Sequence, residues 1–324
     1  MRSFPIWVLL SFTIVSHAAA QSAPAEYPSK PIRFIIPFAP GGPADMIARP
    51  LAQRLTESWG QQIIIDTRAG AGGTIGAEAL AKSAPDGYTL MLSTPGIIAV
   101  NPGLHSKLPF DTLRDFAGVT NAVSSANIMV VHPSLPVASV TDLIRIARAR
   151  PGQMSYASSG NGSASHLGTE MFKSMAKVDI NHVPYKGAAP GVIDLVGGHV
   201  QLMIIGIPVA LPQVRSGKLK ALGVTSLKRS VAAPDVPTLN DSGLPGYEVV
   251  NWYGVIAPAK TPRDIIAKLN AEMRRILHAP ESKSRLQAQG FEPIADTPEE
   301  FDVYIRSELA KWTKVVKQAG IKPD

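Results

Sequence analysis

Twice in this chain a short apolar run gives way to a loop of small residues and then to a helical pattern. The first case runs from Pro31 to Pro37 into Phe38-Ala39-Pro40-Gly41-Gly42-Pro43-Ala44-Asp45. The second runs from Met154 to Ala157 into Ser158-Ser159-Gly160-Asn161-Gly162-Ser163-Ala164-Ser165-His166. A strand that turns through glycine into a helix is the building unit of α/β folds, in which each helix packs back onto the sheet. The turn also leaves free N–H groups at the positive end of a helix dipole, where an anion binds without help from a cation. Neither loop contains Lys or Arg. Two such loops, far apart in the chain, can belong to two lobes that close on one acidic small molecule.

The remaining pattern agrees with that unit. After the first loop, 45–59 reads as a helix with Met46, Ile47, Leu51 and Leu55 near one face, and Gly60 stands at the C′ position. Pro50 interrupts that pattern and predicts a later start or a kink. Strands are expected at 62–66 and 88–93, with a short helix ending near Ala81 between them. The pattern changes over 115–125, and 128–131 opens a second α/β set. In that set 139–148 is a helix begun by Ser139-x-x-Asp142, a capping-box-like pair. Further strands read at 180–183, 200–205 and 219–224, with helices at 190–196 and 209–216. An aromatic-rich strand at 247–256 and helices at 262–277 and 298–319, the last followed by Gly320, complete the chain. This last segment has no sheet of its own, so it is expected to return to the first lobe. The expected fold is therefore α/β with a parallel sheet in each of two lobes and a cleft between them. Residues 27–124 and 248–324 form domain 1, and residues 125–247 form domain 2.

Residues 1–20 read as a cleaved secretory signal peptide. Arg2 gives the positive start, Phe4 to Val15 the apolar stretch, and Ala18-Ala19-Ala20 the small-residue cleavage site. The apolar stretch falls short of the ~20 residues of a membrane span. Its removal leaves roughly 300 residues, enough for two lobes without staples. The chain has no cysteine, so export brings no disulfide framework. A periplasmic address follows. The formal charge of +7 is scattered, and aromatics make up 6% of residues with no basic block among them, which argues against nucleic-acid binding.

Other chemistries fail on spacing. Gly70-Ala71-Gly72-Gly73-Thr74-Ile75-Gly76 puts Ile75 where a dinucleotide fingerprint needs its third glycine, so a tight packed turn is the better reading. There is no G-x-S-x-G, and Ser163 and His166 on one helical turn do not orient a nucleophile and its base. The histidines are scattered without a zinc-ligand spacing, so no metal and no cofactor is expected. Asp45 at a helix start is a capping carboxylate before it is a general base. What survives is anion binding by the amides of Gly41, Gly42, Ala44 and Asp45 in one loop and of Gly160, Asn161, Gly162 and Ser163 in the other. Serine and asparagine side chains of the second loop add donors.

The chain resembles the extracytoplasmic solute-binding receptors of tripartite tricarboxylate transporters, the Bug or TctC-like family. The residues that carry the resemblance include Tyr27-Pro28-x-x-Pro31-Ile32, Pro40-Gly41-Gly42-x-x-Asp45 and Arg68-Ala69-Gly70-Ala71-Gly72-Gly73. Pro85-Asp86-Gly87-Tyr88, Tyr156-x-Ser158-Ser159-Gly160-x-Gly162, His182-Val183-Pro184-Tyr185-Lys186-Gly187 and Trp252-Tyr253-Gly254 extend it along the mature chain. The resemblance implies a type II periplasmic-binding-protein fold and a small carboxylate held in the cleft. It also implies delivery to large and small permease subunits. It points to Ala39, Pro40, Gly41, Gly42, Ala44 and Asp45, and to Ser158, Ser159, Gly160, Asn161, Gly162 and Ser163, as ligand contacts. Tyr185 and Trp252 would serve as cleft walls. The receptor is expected to be a monomer without catalytic residues. A periplasmic hydrolase or lyase using Asp45 or His166, and a receptor that feeds a signalling partner, are the competing readings.

Overall fold

The computed structural model describes residues 27–105, 107–185 and 187–319. The expected signal peptide, Lys186 and Gly320 lie outside the described residues. The chain begins with β1 (Ile32–Ile36), α1 (Pro43–Trp59), β2 (Ile63–Thr67), α2 (Thr74–Ala81) and β3 (Thr89–Ser93). A π-helical turn (Gly96–Val100) leads into α3 (Asn101–Leu104), then α4 (Thr112–Asp115) and β4 (Phe116–Val131). Next come α5 (Val140–Ala149), β5 (Ser155–Ser158), α6 (Ala164–Ala176), β6 (Asn181–Pro184), α7 (Ala188–Val196), β7 (Leu202–Gly206), α8 (Ile207–Arg215) and β8 (Lys220–Val224). The final segment is β9 (Val250–Pro258), α9 (Arg263–His278), α10 (Pro280–Ala288), β10 (Glu292–Pro293) and α11 (Pro298–Ala319).

Local chemistry explains most of these boundaries. Pro43 opens α1, where its missing N–H costs nothing, and Gly60 closes it at φ 65° with its N–H on the Thr56 carbonyl. Pro50 neither delays nor ends α1. The buried face of Ala44, Ile47, Ala48, Leu51, Ala52 and Leu55 holds the helix together across the lost bond. Ser139 caps α5 by accepting from the Asp142 amide, while Asp142 accepts from the Ala138 amide.

The sheet is mixed rather than parallel throughout. β2, β1 and β3 are parallel, as are β6, β5 and β7. Between these sets lie β9 and β4, antiparallel to each other and to their neighbours β3 and β7. The reason is β4, a single 16-residue strand where sequence periodicity suggested a break. Its first part, Phe116–Ala126, pairs with β9, and its last part, Asn127–Val131, pairs with β7 and β8. One strand therefore serves both sheet halves, with register shifts at Gly118/Thr120 and Asn121/Val123 against β9 and at Met129/Val130 against β8.

Where the chain crosses between halves, buried polar groups clasp it. The Asn127 amide donates to Thr225 Oγ1 at 2.8 Å, and that hydroxyl donates to the Val249 carbonyl at 2.6 Å. The Val249 amide donates to the Thr225 carbonyl at 3.0 Å, and Asn251 Nδ2 reaches Asn127 Oδ1 at 3.4 Å. Buried backbone groups are thus satisfied where regular pairing changes partner.

Helices cover both faces of each half. α1 and α9 pack on one face of the first, where Phe34, Leu55, Leu90 and Leu269 are buried together. α2 and the start of α11 cover the other face, with Ala77, Phe301 and Ile305. α11 also reaches the second sheet half: its later residues Trp312 and Val316 are buried with Leu167, Phe172 and Ile204. Among the described residues no helix is long and apolar enough to cross a membrane.

Candidate functional site

Both glycine loops leave the C-terminal end of a strand and enter a helix. The first joins β1 to α1 and the second joins β5 to α6. In the first, Ala39, Pro40 and Gly41 are exposed, Gly42 and Asp45 are half-buried, and Ala44 is buried. Gly41 sits at φ 85°, a left-handed turn open to glycine. Its amide donates to Asp45 Oδ2 at 3.2 Å, and Arg49 Nε lies 2.7 Å from Asp45 Oδ1. The Arg49 guanidinium, with the Gly41 amide, holds the Asp45 carboxyl below its ordinary value against the partial burial that opposes it. The Asp45 amide turns back to the Gly42 carbonyl. Among the described residues no acceptor lies within hydrogen-bond distance of the Gly42 and Ala44 amides. Two of the four expected donors of this loop are therefore committed, and two have no hydrogen-bond partner among the described residues.

The second loop is built differently from expectation. Gly160 N–H donates to Ser158 Oγ at 3.1 Å, Gly162 N–H to His166 Nδ1 at 3.0 Å, and Ser163 N–H to the Gly160 carbonyl at 3.2 Å. Ser159 N–H donates to Ser165 Oγ at 2.8 Å. Three of the four amides assigned to anion binding are thus used inside the loop. The correction has a simple cause: serine and histidine side chains compete for the same donors that a bound anion would take. Ser158 is fully buried and Gly162 is buried. Ser159, Gly160 and Ser163 are half-buried, and Asn161 is the exposed apex.

An aromatic column supports this loop. The rings of His166 and His182 stack at 4.1 Å between centroids, and those of His182 and Tyr156 at 4.8 Å. His182 Nε2 lies 2.6 Å from Ser158 Oγ. Tyr156 donates its hydroxyl to Glu170, which Lys173 also contacts. Burial opposes ionisation of Glu170, but these hydrogen bonds outweigh it and hold the carboxyl below its ordinary range. His182 stands inside a sequence motif quoted above, yet only the fold shows that it braces Ser158 from a neighbouring strand.

Of the two expected wall residues, Tyr185 is half-buried and adjoins the second loop. Its amide donates to the Ser158 carbonyl. Its hydroxyl donates to Asp194 at 2.6 Å, and burial, then that partner, pushes its pKa up to about 12. Trp252 requires correction. It is fully buried, edge-on to Phe301, and its Nε1 donates to Glu308 Oε2 at 3.0 Å. Trp312 Nε1 donates to the same oxygen at 3.0 Å. The indole N–H needs a partner once buried, and a carboxylate on α11 supplies one. Trp252 offers no surface to a ligand. Among the described residues no group of three or more His, Asp or Glu is placed to hold a metal ion.

The sheet halves, the single crossing strand and the paired strand-to-helix turns define a periplasmic binding protein of α/β type. The chain belongs to the tripartite tricarboxylate transporter family receptors, whose family model matches residues 47–321. It is 39% identical over 312 residues to protein BugT of Bordetella pertussis, covering 96% of each chain. Among solved structures it is similar to Rpa4515 of R. palustris with adipate, at 40% identity and a TM-score of 0.86. That match covers 92% of this chain and all (100%) of the other. It is also similar to MatC of Rhodopseudomonas palustris with bound malate, at 32% identity and a TM-score of 0.80, covering 90% and 100%. Receptors of this family are periplasmic solute-binding proteins.

Proposed function

We propose that the chain captures one small carboxylate between the loop 38–45 and the loop 158–163 and passes it, unchanged, to the membrane subunits of a tripartite transporter. The observation that carries this reading is the pair of cation-free strand-to-helix turns, in a chain 40% identical to a protein solved with adipate. Adipate and malate, the acids named for two similar structures, share the carboxylate that such turns suit. In this reading Gly42 and Ala44 donate from their amides. The second loop contributes its exposed Asn161 and the hydroxyls of Ser159 and Ser163, and Tyr185 closes one side.

The lobes in this proposal are residues 27–124 with 248–324, and residues 125–247. They move about the Asn127–Thr225–Val249 clasp. The protein is a monomer, released after cleavage near Ala20. An enzymatic role is disfavoured because its candidate bases are engaged: Asp45 by Arg49 and Gly41, and His166 by the Gly162 amide. A melting-temperature screen with adipate, malate and related di- and tricarboxylates tests the reading. An acid present at about 100 times its Kd adds about 2.7 kcal/mol of stability. A flat response across the series rejects carboxylate capture. Consumption of the acid, followed by NMR, restores the enzyme.

A further inference from the structure

The segment between β3 and α4 has no role in the site so far, yet it touches both lobes. Its Ile97 and Ile98 are buried with Ile35, Ala77 and Phe301 of the first lobe. Its Ala99, Val100 and Leu104 are buried with Leu167 and Phe172 of the second. Each end of the segment plugs a glycine. At Gly73, φ 94°, the space of a Cβ is filled by the Ile97 side chain, at 2.5 Å from Cδ1. At Gly162, φ 69°, that space is filled by Leu104 Cδ1, with Val100 Cγ1 at 3.9 Å. Between the plugs, Asn101 Nδ2 lies 3.4 Å from Thr74 Oγ1, at the start of α2. The segment begins as a π-helical turn, an irregularity that rotates its later side chains relative to an ordinary helix.

We propose that Leu104 is the positioning residue of the second loop, setting Gly162 and its neighbours from the first lobe. The inference rests on the carboxylate reading above. Gly162 lies between the exposed Asn161 and the α6 cap Ser163, and its amide is fixed on His166. Leu104 packs against the open side of the same residue. The loop that faces the ligand is therefore held in shape partly by a side chain carried from across the lobe boundary. A glycine is needed at 162 both for its left-handed backbone and for the seat it gives Leu104.

A double-mutant cycle read by titration calorimetry with adipate and with malate tests this. Leu104→Ala lowers affinity about tenfold and Leu104→Met restores it to within about threefold. Gly162→Ala costs about tenfold alone but under about threefold on top of Leu104→Ala, because the two occupy one space. Backbone strain at 162 is common to both backgrounds and cancels. Hydrogen exchange on the ligand-free protein gives a second readout: Leu104→Ala accelerates exchange over 158–166 and leaves 38–45 unchanged. Wild-type affinity in Leu104→Ala, independent losses in the cycle, or unaltered exchange over 158–166 overturns the inference. If the wild type binds neither acid, the melting screen across the carboxylate series decides the carboxylate reading separately, and the exchange experiment still decides the role of Leu104.

Discussion

The two glycine loops hold equivalent places in the fold and are stabilised by opposite means. The loop before α1 is exposed at Ala39, Pro40 and Gly41, stiffened by Pro40 and Pro43 and braced by one carboxylate, and the Gly42 and Ala44 amides have no hydrogen-bond partner among the described residues. The loop before α6 has no proline. It is half-buried and spends its amides on Ser158, Ser165 and His166. The same backbone motif therefore leaves amides without partners in one sheet half and bonds its amides internally in the other. In the proposed reading, a ligand meets backbone donors on one side and replaceable side chains on the other.

The largest effect should come from removing a donor in the first loop. Gly42 sits at φ −88°, just beyond the range a proline ring imposes, so a proline there removes the amide at the cost of a small backbone adjustment. Gly42→Pro should weaken carboxylate binding about 100-fold in calorimetry, in line with the ~1.5–3 kcal/mol of a hydrogen bond to a charged group. An unchanged affinity would break the distinction between the two loops. Ser158→Ala attacks the internal bonds of the second: it removes the partner of both His182 and the Gly160 amide. Urea denaturation should show a loss of about 1–2 kcal/mol, with affinity falling about tenfold as a secondary result.

Trp252→Phe should separate core from cleft. Glu308 keeps Trp312, so the loss is about 1 kcal/mol in stability. Affinity should stay within about twofold, because the side chain is buried and the loss acts on packing and one hydrogen bond. Asp45→Asn should have the smallest effect, about 0.5 kcal/mol, since its partner Arg49 is largely exposed. The Asp45 pKa is depressed in the folded state, so its contribution is complete above the ordinary carboxyl value of 3.8 and disappears as pH falls through the folded value. Denaturation curves of wild type and variant should differ by a constant amount from pH 8 to about 5 and converge only below about 4.

The α/β units and both loops were legible in the sequence because their signals are local: a strand, a glycine turn and an amphipathic helix each lie within a few residues. β4 was not. Its central run carries Thr120, Asn121, Ser124 and Ser125, which look like a loop and are tolerated because Thr120 and Ser125 bond to the backbone of distant residues Asp296 and Gly290. α10 was missed because Pro280–Ala288 buries only Ser282 and Leu286 and shows little apolar periodicity. The fate of the second loop's amides depends on side-chain orientation, which composition does not fix. Trp252 beside Tyr253 and Gly254 resembles a ligand wall until Glu308, on the last helix, is seen to take its N–H.

The position of β9 sets an order on how the chain can acquire its structure. β9 lies between β3 and β4 but follows both, so the first sheet half cannot close until residues 250–258 have been delivered. The second half has β5 to β8 and the end of β4 within one uninterrupted stretch. Emerging from its N-terminus, the chain can finish that stretch while β1, β2 and β3 still present an unpaired inner edge. Such an edge invites association with other chains, and pairing across so long a separation is slow. The return strand is therefore a late-arriving keystone, and the inner edge of β3 is the part of the first sheet half that stays open until it arrives.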